Sequence, residues 1–345
     1  MASEFAFLDR LRTIATDPAA RGLDDDAALL DGWVITHDSI AEGVHFRRDD
    51  PPSSIGWKLV AVNLSDLAAK GATPRAALMT ASLSDGDGRW ENRFLDGVAA
   101  ACDAYGLALV GGDTIALPEG APRVFSLTAI GRAGEAVPAR SGGRPGDGLW
   151  LVGTLGDSGA GLDILAKDKD AEGPLVEAYR QPVPQLAAGQ ALAPRARAMM
   201  DVSDGLLLDL ARMIAACGCG AAVDLDALPL SRAFIAERGQ DRRARLFAAT
   251  AGDDYALLAA LPSNLDPGLS LSLPAGTQCV RIGHLTDGRD IILSDAAGEV
   301  PLPERLGYAH DRPQSPPALA RARRPDVRDR LRAAADRSLK ARPKR

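Results

Sequence analysis

From Trp33 onward the chain alternates short strand-like runs with longer runs of helical spacing. The strand-like runs are WVITHD, RAALMTASL, LALVGG and FSLTAIG, and the helical runs are SIGWKLVAVNLSDLAAKG and WENRFLDGVAAACDAYG. Strands that alternate with helices are typical of α/β and α+β proteins. We therefore predict a fold of the α/β (α+β) class.

A stretch dense in glycine, proline and charge, PARSGGRPGDG, interrupts this pattern at residues 138–148. Such a composition is typical of a junction between domains. Beyond it, strands are expected at LWLVGT, AMMDVS and AAVDL, and helices near Ala160 and at GLLLDLARMIAACG, which Gly218 should end. We predict an N-terminal domain over 1–137, a C-terminal α/β domain over 138–311 and a basic, mobile tail over 312–345.

The charges are distributed unevenly along the chain. The formal net charge is −6, but the tail carries 12 Lys/Arg against 3 Asp/Glu, a net +9, which leaves −15 for residues 1–311. An acidic body disfavours non-specific binding to nucleic acid and suits a protein whose acids are matched by metal cations. For the tail, a solvated appendage with one short helix near 326–339 and a segment that binds an anionic partner both remain open.

The sequence disfavours a membrane or secreted protein, and it disfavours a disulfide framework or a cysteine zinc site. The chain lacks an apolar run of the ~20 residues that cross a bilayer, and its start, MASEFAFLDRLR, lacks a signal-peptide pattern. A cytoplasmic protein that does not bind membranes is therefore expected. The four cysteines are too sparse for a disulfide framework and lack the spacing of a zinc clip, so they should be small buried residues.

The helix predicted over residues 54–70 carries polar side chains on an otherwise apolar surface. Because apolar residues surround it almost completely, this helix should be buried. Asn63, Asp66 and Lys70 nevertheless fall at i, i+3 and i+7, on one stripe. A buried carboxylate requires a cation, which is either Lys70, in a structural pair with Asp66, or a metal or ligand that faces the stripe.

Other carboxylates stand where strands are expected to end. A turn after Val110 is expected to present Asp113 and Thr114, and Asp201 ends a strand ahead of Ser203 and Asp204, either of which can cap the next helix. Ordinary turns use the same residue types, so each motif alone has a structural explanation. With GLDDDAALL and ITHDSIAEGVHF included, carboxylates recur at positions 25, 26, 38, 66, 113, 201 and 204.

These carboxylates are hard oxygen ligands, which suit Mg²⁺. Several Mg²⁺ ions in one site usually accompany a polyphosphate, yet the P-loop pattern GxxxxGK[ST] is absent. The run GTLGDSGAGL follows a strand and opens a helix, so it is a candidate anion site, although close helix packing explains it nearly as well. The residues alone indicate a metal-rich nucleotide site without a P-loop.

An ordered set of motifs resembles the thiamine-monophosphate kinase family. The motifs are GLDDDAALL, ITHDSIAEGVHF, AVNLSDLAAKGA, LVGGDT, ARSGGRPGDGLWLVGTLGDSGAGL, MDVSDGLLLDL, AGDDYALL and GYAH, over about residues 22–310. The superfamily also includes aminoimidazole-ribotide synthase and selenophosphate synthetase. Selenophosphate synthetase is disfavoured, because its catalytic Cys or selenocysteine belongs near the N-terminus and no Cys precedes Cys102 here. The resemblance implies a two-domain aminoimidazole-ribotide-synthase-like fold and a homodimer whose N-terminal sheets join in a barrel.

The resemblance also implies an activity, the ATP-dependent phosphorylation of thiamine monophosphate to thiamine diphosphate with several Mg²⁺ ions. The implied metal ligands are Asp26, Thr36, His37, Asp38, Asp66, Asp113, Asp201 and Asp204. The implied nucleotide positions are Gly112, Asp113, Arg140 and Ser203, and the implied substrate positions are His45, Asp253 and Tyr308. The implied catalytic residues are Asp66, Asp113, Arg140 and Asp204. Thr36 and His37 stand where the family has Ser-Thr, and Asp253 where it usually has Glu.

The implied nucleophile is a phosphate oxygen that is already ionised at neutral pH, so no general base is needed. The difficulty is to bring two anions together, which Mg²⁺ and Arg140 would overcome by charge neutralisation and in-line positioning. Direct transfer without a phospho-enzyme is therefore the first hypothesis. Two others remain open: an ATP-dependent synthase of the aminoimidazole-ribotide synthase type, and a non-catalytic module that binds Mg²⁺ or nucleotide.

Overall fold

The computed structural model describes residues 4–83, 88–118 and 120–309. The predicted tail and the last residue of the GYAH motif, His310, lie outside these residues. The helices are α1 (Glu4–Arg12), α2 (Pro52–Ala69), α3 (Arg89–Tyr105), α4 (Asp157–Lys167), α5 (Pro174–Arg180), α6 (Leu186–Leu192), α7 (Leu206–Cys217), α8 (Arg232–Arg238), α9 (Arg242–Thr250) and α10 (Pro267–Ser270). The strands are β1 (Ala28–Leu30), β2 (Trp33–Ala41), β3 (Thr73–Leu83), β4 (Ala108–Ala116), β5 (Val124–Arg132), β6 (Gly148–Val152), β7 (Ala198–Val202), β8 (Gly220–Asp224), β9 (Ala256–Leu261), β10 (Cys279–Thr286), β11 (Ile291–Asp295) and β12 (Gly298–Val300).

The strands form two mixed sheets. The first has the order β1-β2-β5-β3-β4 and is antiparallel except between β3 and β4. The second has the order β12-β11-β8-β10-β6-β9-β7 and is antiparallel except between β8 and β11. The predicted mixed class is confirmed, and over the described residues each sheet is open rather than closed into a barrel.

Helix α2 lies at the centre of the molecule and is buried, as its sequence predicts. It begins at Pro52, whose fixed φ suits the first turn of a helix. It packs on α3, β2 and β5 of the first sheet and on β7 and β9 of the second. Glycines allow its close approach to α3, because a Cβ at Gly56 would lie 2.1 Å from the carbonyl oxygen of Phe94. One helix therefore presents side chains to both sheets.

The turn predicted after Val110 is wrong, because β4 continues without interruption to Ala116. Val110 is an extra residue between Leu109 and Gly111, which pair with successive residues of β3, so the strand absorbs it as a bulge. Gly112 continues the strand by lying directly against β3, where a Cβ would be 1.8 Å from the Met79 carbonyl oxygen. Asp113 and Thr114 are thus strand residues at a sheet edge.

The second sheet is covered most fully at β7 and β9, whereas β11 and β12 include exposed residues. Every residue of β7 and β9 is buried, and helices α4, α7 and α9 contribute to one apolar core with them. Helix α7 ends at Gly218, which has a φ of 70°, in agreement with the predicted stop. The described residues form one compact unit, and the division at residue 137 stays a prediction.

The structure also bears on the cysteines and on the prediction that the chain does not cross a membrane. All four cysteines lie in the described part and are free, with Cys219 buried and Cys102, Cys217 and Cys279 half-buried. No described helix combines the length and apolarity that a bilayer span requires. The cytoplasmic location stays a prediction.

Candidate active site

Three carboxylates from distant parts of the sequence meet beside α2. Asp26 precedes β1, Asp66 lies on α2, and Asp201 lies on β7 of the second sheet. One oxygen of each lies within 4.8 Å of one oxygen of the other two. We call these three residues the acidic cluster. Their grouping agrees with the sequence prediction for these positions.

The acidic cluster is short of positive charge on the side of Asp66 and Asp201. Both side chains accept hydrogen bonds from hydroxyl groups, Asp66 from Thr36 and Asp201 from Ser65, at 2.8 Å in the second case. Burial raises the pKa of Asp66 well above its ordinary value, and the nearby carboxylates add to the shift. Burial and the charge of Asp26 likewise raise the pKa of Asp201. Two buried carboxylates therefore lack an adequate counter-charge from the protein.

Asp26 has a different environment, because two cations contact it. Arg140 Nε donates to Asp26 Oδ1 at 2.6 Å, and Lys70 Nζ lies 2.6 Å from Oδ2. Burial raises the pKa of Asp26, but Lys70 and Arg140 together outweigh burial and leave this pKa lowered. Both oxygens of Asp26 thus lie against cations, and Asp26 is an anion whose charge the protein itself compensates.

The alternative structural pair between Asp66 and Lys70 is wrong. Lys70 Nζ instead contacts Asp25 and Asp26, at 2.5 Å and 2.6 Å. The reason is position, since Lys70 is the residue that ends α2 and its side chain extends past the helix end toward the segment before β1. Asn63, the third residue of the stripe, accepts a hydrogen bond from the backbone NH of Asp38.

The donor set of the cluster fits a hard divalent cation such as Mg²⁺. It consists of carboxylate oxygens, the ligands that Mg²⁺ prefers. Asp38 and Asp204 interact electrostatically with the acidic cluster. Burial raises the pKa of Asp38, and the charges of Asp26 and Asp204 raise it further. A cation would relieve the repulsion that these groups now exert on one another.

The turn between β7 and α7 is held by a residue that the sequence did not point to. The sequence predicts that Ser203 or Asp204 caps α7, but neither side chain does so. Instead, the backbone NH groups of Ser203 and Asp204 both donate to Asp209 Oδ2, at 3.0 Å each. Burial raises the pKa of Asp209 to about 6, although Arg212 opposes this shift. Arg212 also contacts Asp204 at 2.6 Å. Asp204 is therefore fixed through Asp209 and Arg212.

A second polar group surrounds Asp253, one of the implied substrate positions. Asp253 has a φ of 63°, in the left-handed region that non-glycine residues rarely adopt. Its Oδ2 accepts hydrogen bonds from Lys58 Nζ at 2.5 Å and Ser158 Oγ at 2.8 Å, and its Oδ1 accepts one from the Tyr255 hydroxyl at 2.9 Å. Strain of this kind persists where the surroundings fix the conformation, as they do here.

The other implied substrate positions adjoin this group. The carbonyl oxygen of His45 accepts a hydrogen bond from Lys58 Nζ at 3.1 Å. Tyr308 is half exposed, and its NH donates to the carbonyl oxygen of Asp204 at 2.8 Å. Asp253 NH donates to the carbonyl oxygen of Ser203 at 2.6 Å. The Ser203–Asp204 turn, which follows Asp201 directly, therefore contacts two of the implied substrate positions, Asp253 and Tyr308, and His45 is linked to Asp253 through Lys58.

The candidate anion site at the start of α4 is already occupied by a carboxyl group of the protein itself. Gly156 NH donates to both carboxylate oxygens of Asp254 at 2.9 Å. Gly156 has a φ of 82°, and a Cβ there would lie 2.8 Å from Ala248, so close packing also requires the glycine. The prediction that GTLGDSGAGL receives a ligand anion at this NH is wrong.

Two of the implied metal ligands lie away from the cluster. His37 alternates with Thr36 and Asp38 along β2, so its side chain lies on the opposite, exposed face, where Nδ1 is 2.9 Å from Thr128 Oγ1. Asp113 lies on the edge strand β4, where its Oδ1 accepts a hydrogen bond from the NH of Thr114. Gly112 is its neighbour on the same strand. The structure of a single chain does not bring these positions to Asp66.

The separation of Asp113 from the cluster follows from strand register. Asp113 pairs with Thr80, Thr80 with Ser126, and Ser126 with Ser39, the neighbour of Asp38. Three strand spacings amount to about 14 Å. Paired residues also share a face, and Ser39 is on the exposed face of the sheet rather than the face that packs on α2.

Comparisons with known proteins identify the family of this chain. Two family models match, AIR synthase related protein, N-terminal domain, over residues 24–133 and AIR synthase related protein, C-terminal domain, over residues 144–295. Thiamine-monophosphate kinase of Salmonella typhimurium is 38% identical over 267 residues, which cover 74% of this chain and 80% of that protein. The chain belongs to the thiamine-monophosphate kinase family. The resemblance that its motifs indicated is thereby confirmed.

Further members of the thiamine-monophosphate kinase family match over most of the chain. The Caulobacter vibrioides kinase is 35% identical over 323 residues, 89% of this chain and 91% of that protein. A solved structure of AaThiL complexed with AMPPCP and TMP has a TM-score of 0.77 and 28% identity, and it covers 89% of this chain and 97% of that one. These matches include both sheets.

Several polar residues of the site were missed by motif matching to the kinase family. Ser65 stands within the quoted motif AVNLSDLAAKGA, directly before Asp66, and its bond to Asp201 could have been suspected from its position alone. Lys58 is buried, a rare state for lysine that signals a buried partner. Arg212 and Asp209 are three residues apart on α7, a spacing that signals a pair but not its contact with Asp204.

Proposed function

We propose that this chain transfers the γ-phosphoryl group of ATP to the phosphate of thiamine monophosphate, which gives thiamine diphosphate and ADP. The observation that carries this proposal is the acidic cluster, in which three buried carboxylates face one another with Arg140 alongside. Such a group suits Mg²⁺ and polyphosphate together. Family membership and the AMPPCP and TMP held by AaThiL support the choice of both substrates.

The reaction joins two anions. A phosphate oxygen of thiamine monophosphate forms a bond to the γ-phosphorus of ATP, and the bond from that phosphorus to the bridging oxygen breaks, so ADP leaves with the electron pair. The attacking oxygen is already ionised, so no side chain has to remove a proton. Mg²⁺, when bound, would neutralise the phosphate charge at this point.

The residues divide this work between them. We assign metal binding to Asp26, Asp38, Asp66, Asp201 and Asp204, with Thr36 as the hydroxyl that orients Asp66. Arg140 is half-buried beside Asp26, and that carboxylate outweighs desolvation and keeps the pKa of Arg140 raised, so its charge is permanent. It would hold the phosphates in line. Ser203 would contact the nucleotide, and His45, Asp253 and Tyr308 would contact thiamine monophosphate.

The test is the conversion itself. Purified protein incubated with ATP, Mg²⁺ and thiamine monophosphate should form thiamine diphosphate and ADP in equal amounts, as measured by chromatography. Thiamine is the matched control acceptor, because it lacks the phosphate oxygen and should give no product. Folded protein that binds ATP without forming thiamine diphosphate would favour the non-catalytic module, and ATP consumption with another acceptor would favour a synthase.

We also propose a homodimer in which the first sheets of two copies join, as the barrel of the family requires. The edge strand β4 supports this, since all nine of its residues are exposed and three of them, Leu109, Val110 and Ile115, are large and apolar. An unpaired apolar edge is a surface for association. Because Asp113 is about three strands from Asp38 and on the other face, a ligand role for Asp113 requires that it serve the cluster of a second copy.

A mixed dimer tests the shared site. Asp66→Asn and Asp113→Asn chains should each be inactive alone. Random pairing should restore roughly a quarter of wild-type activity, because half of the dimers are mixed and one of their two sites has both aspartates intact. If Asp113 served its own chain, the mixture would stay inactive. Asp103→Asn, an exposed site on α3, is the control partner: it keeps both aspartates, so mixed with either inactive chain it should give about half of wild-type activity, whichever chain Asp113 serves.

A further inference from the structure

The ammonium group of Lys70 joins four segments of the chain. Its side chain is fully buried, and Nζ lies 2.5 Å from Asp25 Oδ1 and 2.6 Å from Asp26 Oδ2. It also donates to the carbonyl oxygens of Pro138 at 3.2 Å and Met199 at 3.0 Å. Lys70 thus connects the end of α2 with the acidic segment before β1, the link between the sheets and strand β7.

Positive charge is concentrated on one side of the site. Asp25 is contacted by Lys70 and by Arg21 Nη1, which is 2.5 Å from Oδ2, and Asp26 is contacted by Lys70 and Arg140. Asp66 and Asp201, in contrast, are bonded to hydroxyl groups. The carboxylates before β1 are therefore compensated by the protein, whereas the other two members of the cluster are not.

We propose that Lys70 is a permanent counter-cation of the acidic cluster. It holds Asp25 and Asp26 in place before a divalent ion arrives, and it weakens the binding of that ion through Asp26. This role of Lys70 rests on the metal binding proposed above for the cluster. It makes Lys70 a positioning residue whose charge sets how tightly the site takes up metal.

The physical reason is that the ammonium group and a divalent ion would share one carboxylate. Asp26 belongs to the acidic cluster, and its Oδ2 is the oxygen that Lys70 Nζ approaches to 2.6 Å. Like charges repel strongly in a buried, poorly screened site. Binding of an ion therefore works against Lys70, whereas in the absence of an ion the same charge stabilises two buried carboxylates.

The test is Lys70→Met, which keeps a long side chain and removes the charge. Titration calorimetry with Mg²⁺ alone, without nucleotide, should show binding roughly tenfold tighter than in the wild type. In chelator the variant should unfold at a lower temperature than the wild type. Saturating Mg²⁺ should then raise its unfolding temperature by more than it raises that of the wild type.

Lys58→Met is the matched control, because Lys58 is also buried but contacts Asp253 rather than the acidic cluster. It should lose stability without a change in Mg²⁺ affinity. If Lys70→Met does not fold in chelator, Asp25→Asn with Lys70→Met should be compared with Asp25→Asn alone. Asp25→Asn removes the carboxylate charge that Lys70→Met would otherwise leave without its lysine partner. The double variant should then bind Mg²⁺ more tightly than Asp25→Asn alone, by the same factor as Lys70→Met against the wild type.

A different outcome would overturn the role of Lys70. If Lys70 only oriented a ligand, its loss would weaken Mg²⁺ binding about 10–100-fold, and unchanged affinity would exclude any effect of its charge. Absence of Mg²⁺ binding to both proteins would remove the metal role and the role of Lys70 with it. The formation of thiamine diphosphate is measured separately, so a failure of the proposed reaction is distinguishable from each of these results.

Discussion

The two sheets differ in how far they are covered. In the second sheet, β7 and β9 are buried along their whole length, with helices packed over them. In the first sheet, α2 and α3 cover one face, while His37, Ser39 and the whole of β4 remain exposed. The second sheet is complete as a single chain, and the first has a face and an edge that a second copy would cover.

This difference extends to the site. The second sheet supplies Asp201, which is fixed in the core, whereas the first supplies Thr36 and Asp38 on its covered face and Asp113 on its exposed one. Asp66 comes from α2, the helix that packs on both sheets. Folding of one chain therefore assembles Asp66 and Asp201, whereas Asp113 would join them only through the proposed association of two copies.

The largest expected effect is on the residue between the sheets. Asp66→Asn should lower the rate of thiamine diphosphate formation by at least about 100-fold, because it removes a charge from the metal-binding cluster. Stability in chelator should be equal or higher. Burial raises the pKa of Asp66, so its charge destabilises the fold above that pKa, and Asn has no charge to bury.

Rate assays and thermal unfolding in chelator check this expectation. Asp103→Asn is the control for the loss of one carboxylate at the surface and should leave both quantities unchanged. A marked loss of stability in chelator, with activity retained, would mean that Asp66 serves the fold and not the reaction.

A lysine introduced into a strand of each sheet tests directly whether the two sheets differ in how far they are covered. Leu258→Lys, in the fully buried β9, should destabilise the fold by about 3–5 kcal/mol, since it buries a charge without a partner. Val110→Lys, on the exposed β4, should change monomer stability by about 0.5 kcal/mol or less but shift a dimer toward monomers.

Urea unfolding measures the first effect and sedimentation velocity the second. Activity should fall with dimer content in Val110→Lys, since Asp113 would no longer reach a second copy. A Val110→Lys protein that remains dimeric and active would remove β4 from the interface.

The smallest expected effect concerns Asp254, which occupies the start of α4. Burial raises its pKa well above the ordinary value, so the folded state retains a proton that the unfolded state has lost. The wild type should therefore lose stability as pH rises through this raised pKa. Asp254→Asn cannot ionise, so its stability relative to the wild type should increase by roughly 1 kcal/mol or more toward alkaline pH.

Urea unfolding of both proteins over a range of pH measures this difference. Asp241→Asn, which alters the carboxylate that caps α9, is the control for loss of a helix-capping carboxylate. A constant difference between Asp254→Asn and the wild type at all pH values would mean that Asp254 is ionised in the fold throughout.

Much of this organisation could be predicted from the sequence where local patterns decide it. The apolar circumference of α2 predicted a buried helix, and the stripe of Asn63, Asp66 and Lys70 predicted that this helix carries buried polar side chains. The turn after Val110 could not be predicted, because a Gly-Gly pair permits a turn or a strand that lies close to its neighbour. Only the contact of Gly112 with β3 decides between them.

Partners distant in sequence were the harder part. Lys70 contacts Asp25 and Asp26, 45 and 44 positions away, rather than Asp66 four positions away, and no local spacing indicates this. Likewise, Asp254 fills the N-terminal position of α4 from 98 residues away. Motifs identify which residues carry chemistry, but which charge neutralises which depends on where the segments meet.

Because α2 packs on both sheets, the site and the core are assembled by the same event. An isolated N-terminal half would retain Asp26 and Asp66. It would lack the second sheet, and with it Asp201 and the Met199 carbonyl oxygen that Lys70 contacts. Partial folding should therefore leave no competent remnant that consumes ATP without an acceptor. The proposed reaction centre is therefore complete only when both sheets are folded, which protects ATP from a half-built site.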